Sequence, residues 1–129
     1  MSLEMVVATH DYFSFIRELR NDPITNKGFI NREVISEASH LEYMKNHAKF
    51  YRVCLLDGRP VGYIGVVDGD IRIAVHKNYL RKGVGTFMLN EISNNFSDVS
   101  AKIKIENLAS IKLFEKLGFK KRYFVYEKE

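Results

Sequence analysis

The stretch from Ile71 to Phe96 constrains the fold more than any other. It holds an apolar run, Ile71-Arg72-Ile73-Ala74-Val75, a short basic connection, and then Arg81-Lys82-Gly83-Val84-Gly85-Thr86 at the head of an amphipathic segment. After Gly83 the apolar residues fall at Val84, Phe87, Met88, Ile92 and Phe96, the spacing of a helix with one buried face. The order is strand, loop, helix. Gly83 and Gly85 then sit in the first helical turn. There glycine lets a ligand approach the backbone, and the leading N–H groups have no intrahelical partners. Such a turn suits an anion, above all a phosphate. It is not a dinucleotide fingerprint, which needs a third glycine near Thr86, nor the phosphate loop of nucleotide hydrolases, which needs Gly-Lys-Ser/Thr. Taken alone, the pair serves equally well to ease a turn from strand to helix.

A chain of 129 residues has the size of one domain, 1–129, and buries about two-thirds of its unfolded surface, enough for a core without staples. With 46% hydrophobic residues and two prolines it reads as globular throughout, with no membrane-spanning run and no secretory signal, so a cytoplasmic location is expected. Cys54 is the only cysteine and lies in an apolar run, where it reads as a reduced core thiol. The net charge of +4 is too mild and dispersed to call for nucleic acid, and the aromatics fall on expected core faces instead of alternating with arginines. The basic residues cluster locally. His76, Lys77, Arg81 and Lys82 flank the glycine turn, and Lys112 and Lys116 lie one helical turn apart, so that together they could receive a polyanionic ligand.

Periodicity orders the rest of the chain. Met5 to Ala8 reads as a strand, and Asp11 to Arg20 as a helix through Tyr12, Phe15, Ile16 and Leu19, stopped by Asn21-Asp22-Pro23. Residues from Ile24 to Ile35 show no clear period. Ser36 is placed to cap a helix through Leu41, Met44 and Ala48. Phe50 to Leu56, Val61 to Val67 and Ile71 to Val75 read as three antiparallel strands, joined through Asp57-Gly58-Arg59-Pro60 and Asp68-Gly69. Beyond the glycine-headed helix, Ala101 to Ile105 reads as a strand, Leu108 to Leu117 as a helix closed by Gly118, and Phe119 to Tyr126 as a final strand.

Two separated stretches resemble one family, the GNAT superfamily of N-acetyltransferases. Leu80-Arg81-Lys82-Gly83-Val84-Gly85 is similar to its cofactor motif, Gln/Arg-x-x-Gly-x-Gly/Ala. The run from Asn107 through Ser110 and Phe114 to Gly118-Phe119 is similar to its later motif, Asn-x-x-Ala/Ser-x-x-x-Tyr-x-x-x-Gly-Phe. The resemblance implies an α/β (α+β) fold with a mixed, mostly antiparallel central sheet and helices on both faces. It implies an enzyme that moves an acetyl group from acetyl-CoA to a primary amine by direct attack, with no metal. Implied cofactor contacts are Ala74 and Val75 on the strand, Arg81, Lys82, Gly83, Val84, Gly85 and Thr86 at the turn, and Asn107, Ser110, Phe114 and Lys116 from the later motif. The implied partner is a small-molecule or peptide amine, taken by a monomer or homodimer that binds neither nucleic acid nor membrane. The rival of another class is a GNAT-like module that holds acyl-CoA without turnover.

Two positions depart from the motifs. Leu80 stands where Gln or Arg is usual, which removes a side-chain contact but no backbone donor. Phe114 stands where tyrosine is usual, so the common acid for the departing sulfur is absent, and Tyr123 or Tyr126 is the substitute to examine. A thiol pKa of about 8.5 lets coenzyme A leave with modest help. The acceptor amine must lose a proton before it attacks. Asp70 is the residue the resemblance favours as base, with Glu37, Asp68 and His76 as further candidates and with turn formation as the plain alternative for Asp68-Gly69-Asp70. Arg20, Asn21, Glu37, His40 and Tyr43 are candidate contacts to the acceptor. The segments around Arg20 and His40 are similar to family branches that acetylate protein N-termini or nucleotide-linked amino sugars.

Overall fold

The computed structural model describes residues 2–26 and 33–128. Strands β1 (Leu3–Val7), β2 (Tyr51–Leu56), β3 (Arg59–Val67) and β4 (Asp70–Val75) form one antiparallel sheet in that spatial order. Helices α1 (Phe13–Asn21), the short α2 (Pro23–Asn26) and α3 (Glu37–His47) lie between β1 and β2 in the chain, and α4 (Val84–Asn95) and α5 (Leu108–Lys116) follow β4.

The hairpins come from local turn chemistry. Asp57 and Gly58 both have positive φ, 50° and 86°, as do Asp68 and Gly69, 52° and 77°. Two residues with positive φ make the turn whose twist matches that of paired strands. The first connection is therefore tighter than the sequence suggests: Arg59 and Pro60 belong to β3. A break in register between Cys54 and Leu55 lets Pro60, which has no N–H to give the ladder, stand opposite Leu55.

The sheet carries a core on each face. Tyr51, Val53, Leu55, Tyr63 and Ala74 pack with Ile16 and Leu19 of α1 and Met44 of α3. Cys54, Val61, Ile64 and Ile71 pack with Val84, Met88, Leu89 and Ile92 of α4 and Phe114 of α5. Strand alternation sends successive side chains to these opposite cores. Cys54 is fully buried, and desolvation pushes its thiol up to about 11, in keeping with an inert core residue. Among the described residues no helix is long and apolar enough to cross a membrane.

Helix ends follow the expected caps. The Ser36 hydroxyl accepts from Ser39 N–H at 3.1 Å and the Asn107 side chain accepts from Ser110 N–H at 3.3 Å. Gly118, at φ 92°, closes α5 while Phe119 N–H donates back to the Phe114 carbonyl at 3.0 Å. The region without a clear period holds α2, and its residues 27–32 lie outside the described ones.

Two expected strands are absent. Ala101 to Ile105 does not join the sheet: only Ser100 bridges to Asp70, in parallel sense, with Ile71 N–H donating to the Ser100 carbonyl at 2.8 Å. Ile103 packs against the α4 core, whereas the turn closed by Asn107 N–H on the Lys104 carbonyl leaves Ile105 86% exposed. Alternating polarity reports which way side chains face, and here that facing is met without ladder hydrogen bonds. Phe119 to Tyr126 is likewise unpaired. Phe119 packs edge-on against Phe114, and beyond it Tyr123, Phe124, Val125 and Tyr126 are exposed, because strand propensity does not form a strand without a partner edge.

Candidate active site

A groove of about 1000 Å³ runs across β4 from the α1–α3 side to the glycine turn. Its front end is lined by Ile16 and Arg20 of α1, His40, Tyr43 and Met44 of α3, and Tyr51 and Tyr63 of the sheet. Its floor is β4 from Asp70 to Val75, and its far end is made by Tyr79 to Arg81, Gly83 to Thr86 and the start of α5. From Arg72 onward, among the described residues, no strand pairs with β4 on the side away from β3.

The far end is shaped for an anion. Arg81, a residue with a side chain, is held at φ 62°, and Gly83, the N-cap of α4, at φ 82°. Left-handed positions recur where neighbouring backbone N–H groups form anion-binding concavities, and a non-glycine residue held there is a cost that clusters at functional sites. A Cβ on Gly83 would meet nothing within 4 Å, so the space over it is open. A Cβ on Gly85 would lie 3.1 Å from the Leu113 side chain of α5, so glycine there lets α5 close on α4 beside the groove. Ala74, Val75, Arg81, Gly83, Val84, Gly85, Thr86, Asn107, Ser110 and Phe114 are thus brought together on one groove. These residues fit a phosphate-bearing, extended co-substrate: open backbone donors at one end and an unpaired strand edge leading away from them. Lys82 and Lys116 are exposed and outside the lining. Asn107 uses its oxygen to cap α5, which leaves its amide N–H groups for a ligand.

The departures from the motifs have clear settings. Phe114 is buried, its ring 5.0 Å from that of Phe119, and Leu80 is half exposed at the rim. Tyr123 and Tyr126 lie outside the groove lining and are almost fully exposed.

At the front end the polar side chains form a connected set. The Tyr43 and Tyr51 hydroxyls are 2.8 Å apart, Arg72 Nη1 donates to the Tyr43 hydroxyl at 3.1 Å, and Arg72 Nε lies 3.5 Å from an Asp70 carboxylate oxygen. Burial pushes the Tyr51 and Tyr63 phenols well above their usual range, so both stay neutral donors. His40 is buried, and desolvation with the nearby Arg17 charge lowers its pKa, so the neutral ring prevails. The α3 periodicity gives no sign that Tyr43 and Tyr51 converge. The glycine at position 65, inside a strand, is the sequence signal that could have found them.

Other candidates are placed elsewhere. Asn21 clamps the backbone of Ile35, its amide donating to the carbonyl and its oxygen accepting from the N–H, each at 2.8 Å. Glu37 lines a small separate depression with Arg17 and His10. His76 accepts from Asn78 N–H at 3.1 Å and caps the turn after β4. Asp68 forms the β3–β4 turn.

The sequence profile of the Acetyltransferase (GNAT) family matches residues 13–119. An N-alpha-acetyltransferase of Saccharolobus solfataricus is 28% identical over 133 aligned positions, covering 82% of this chain and 80% of that one. Among solved structures, a ribosomal-protein-alanine N-acetyltransferase from Brucella melitensis superposes with a TM-score of 0.76 at 21% identity, over 91% of this chain and 84% of that one. An aminoglycoside acetyltransferase in complex with coenzyme A gives 0.71 at 21%, over 94% and 86%. The chain belongs to the acetyltransferase (GNAT) family and is an acetyl-CoA-dependent N-acetyltransferase.

Proposed function

We propose that this enzyme acetylates the α-amine of peptide or protein N-termini. The likeness to the Saccharolobus N-alpha-acetyltransferase over most of both chains carries this reading. The chemistry of the front end agrees with it. An α-amine, with a pKa of about 7.7–8.0, is unprotonated in roughly one molecule in ten at pH 7, whereas a lysine amine near 10.4 is so in fewer than about one in a thousand. A site whose groove carboxylate is the partly exposed Asp70 and whose histidine is kept neutral suits the weaker demand.

In this reading the backbone of Arg81 to Thr86 holds the phosphates of acetyl-CoA, and Ala74, Val75 and the Asn107 amide guide its arm along β4. Acetyl-CoA supplies the activated acetyl thioester. Asp70, or a water it holds, takes the proton from the amine as nitrogen bonds to the carbonyl carbon. The C–S bond then breaks with its electron pair on sulfur. Phe114 provides no proton there, so sulfur leaves as the thiolate or draws a proton from solvent.

The test is mass spectrometry of products from three acceptors: a peptide with a free N-terminus, the same peptide N-terminally blocked but containing lysine, and an amino sugar. Acetyl placed on the first residue of the free peptide is the expected result. Turnover confined to the lysine peptide or the amino sugar would refute the N-terminal assignment.

A further inference from the structure

Building on the N-terminal reading, we propose that the front end of the groove selects acceptors carrying a carboxylate in the first or second residue, and that Arg72 binds that carboxylate. The site is built across three strands. Register sets Tyr51 of β2 opposite Gly65 of β3, and Gly65 opposite Arg72 of β4, in one row. The middle position has no side chain, and the Tyr51 ring fills its place: a Cβ on Gly65 would lie 2.6 Å from two ring carbons. The Tyr51 hydroxyl is thereby carried toward β4, where the Tyr43 hydroxyl and the Arg72 guanidinium meet it.

The resulting set is rich in donors. Two phenol hydroxyls and a guanidinium converge, and a guanidinium has five N–H groups, of which Nε faces Asp70 and Nη1 serves Tyr43. Arg72 and Asp70 of β4, Lys102 two residues beyond the Ser100 bridge to Asp70, and Arg20 of α1 line the groove here, with His40 neutral; Arg72 and Lys102 already outnumber the one carboxylate, so positive charge prevails. An acceptor lysine is repelled here and an acceptor carboxylate attracted. The Arg72–Asp70 pair is partly open to water, with side chains 44% and 37% exposed, and such pairs contribute little, so an incoming carboxylate can take the place of Asp70 on the guanidinium. That exchange releases Asp70 toward the amine proton. The acceptor's own charge thus helps prepare the base.

The experiment compares kcat/KM for peptides identical except for Glu, Gln or Lys at position one or two. At one of the positions Glu should exceed Gln by about tenfold or more, the fold-change expected for one hydrogen bond to a charged group, and Lys should be lowest. Arg72→Glu should invert the order of Glu and Lys. A guanidinium that served only to hold Tyr43 and Asp70 in place would, on removal, lower all three alike. A wild-type enzyme that treats Glu and Gln equally, or an Arg72→Glu enzyme that keeps the Glu preference, would overturn the proposal while leaving N-terminal acetylation intact. Failure with every peptide alongside turnover of an amino sugar would overturn both. The wild-type order decides the matter if the variant does not fold.

Discussion

Tyr51 lies against the bare backbone of Gly65, so closely that a methyl group there would sit 2.6 Å from its ring. Gly65→Ala should lower stability by about 1–3 kcal/mol, the usual cost of overpacking a tight core, and should disconnect the Tyr51 and Tyr43 hydroxyls. Thermal melting checks it through a double-mutant cycle. In a Tyr51→Ala background most of the cost of Gly65→Ala should vanish, because the side chain it collides with is gone.

Acetyl-CoA should stabilise the native state by about 2.7 kcal/mol at one hundred times its dissociation constant. Gly83→Val should abolish that gain, since the new side chain fills the open space over the turn. Its left-handed backbone adds about 1–2 kcal/mol of intrinsic strain. Scanning calorimetry with and without ligand separates the two effects. A Gly83→Val protein that still gains full stabilisation would show that the phosphates bind elsewhere.

Phe114→Tyr places a hydroxyl beside Phe119 at the α5 end of the groove. If sulfur leaves without a positioned acid, turnover should be unchanged or higher in the variant, by up to the ~10²–10⁴-fold such acids supply. Stopped-flow thiol release reads this directly. A strong fall in rate with the fold intact would mean that the ring packs against the ligand and that its apolar surface is what matters.

Asp70→Asn should lower the plateau of kcat against pH by about 10²–10⁴-fold while acetyl-CoA affinity stays near wild type, because the cofactor contacts proposed on β4 are at its other end, Ala74 and Val75. Parallel loss of both would point to disruption of the turn at Asp68-Gly69. Unchanged rates at every pH would remove Asp70 from the reaction.

His40 links stability to pH. Its folded pKa is depressed below 6.5 by burial and by Arg17, so the unfolded chain binds the proton more readily. The contribution is fully present above pH 6.5 and is lost as pH falls below that value through the folded pKa. His40→Gln should therefore flatten the decline of melting temperature on the acid side. An identical slope in both proteins would assign the acid sensitivity to other groups.

The hairpins, the caps at Ser36 and Asn107, the buried face of α4 and the glycine turn were legible because each depends on neighbours in sequence. The absence of the two expected final strands was not. Their alternation and aromatic content are those of strands, but pairing depends on an edge that local chemistry does not specify. The same divide runs through the groove. Gly83, Gly85 and Asn107 announce themselves by spacing, whereas the Tyr43, Tyr51 and Arg72 cluster exists only once the strand register is set. Asn21 and Glu37 have the polarity of ligand contacts, yet one serves the backbone and the other a separate depression.

The clamp of Asn21 on Ile35 fastens two points fourteen positions apart in sequence, with two hydrogen bonds at 2.8 Å. Asn21 is the last residue of α1 and Ile35 stands just before Ser36, the cap of α3, so the clamp fastens the end of one helix to the start of the other. Arg20 beside the first anchor and His40 and Tyr43 one and two turns beyond the second are thereby held in a fixed relation, and the width of the front of the groove is set by a pair of hydrogen bonds to a side chain outside its lining.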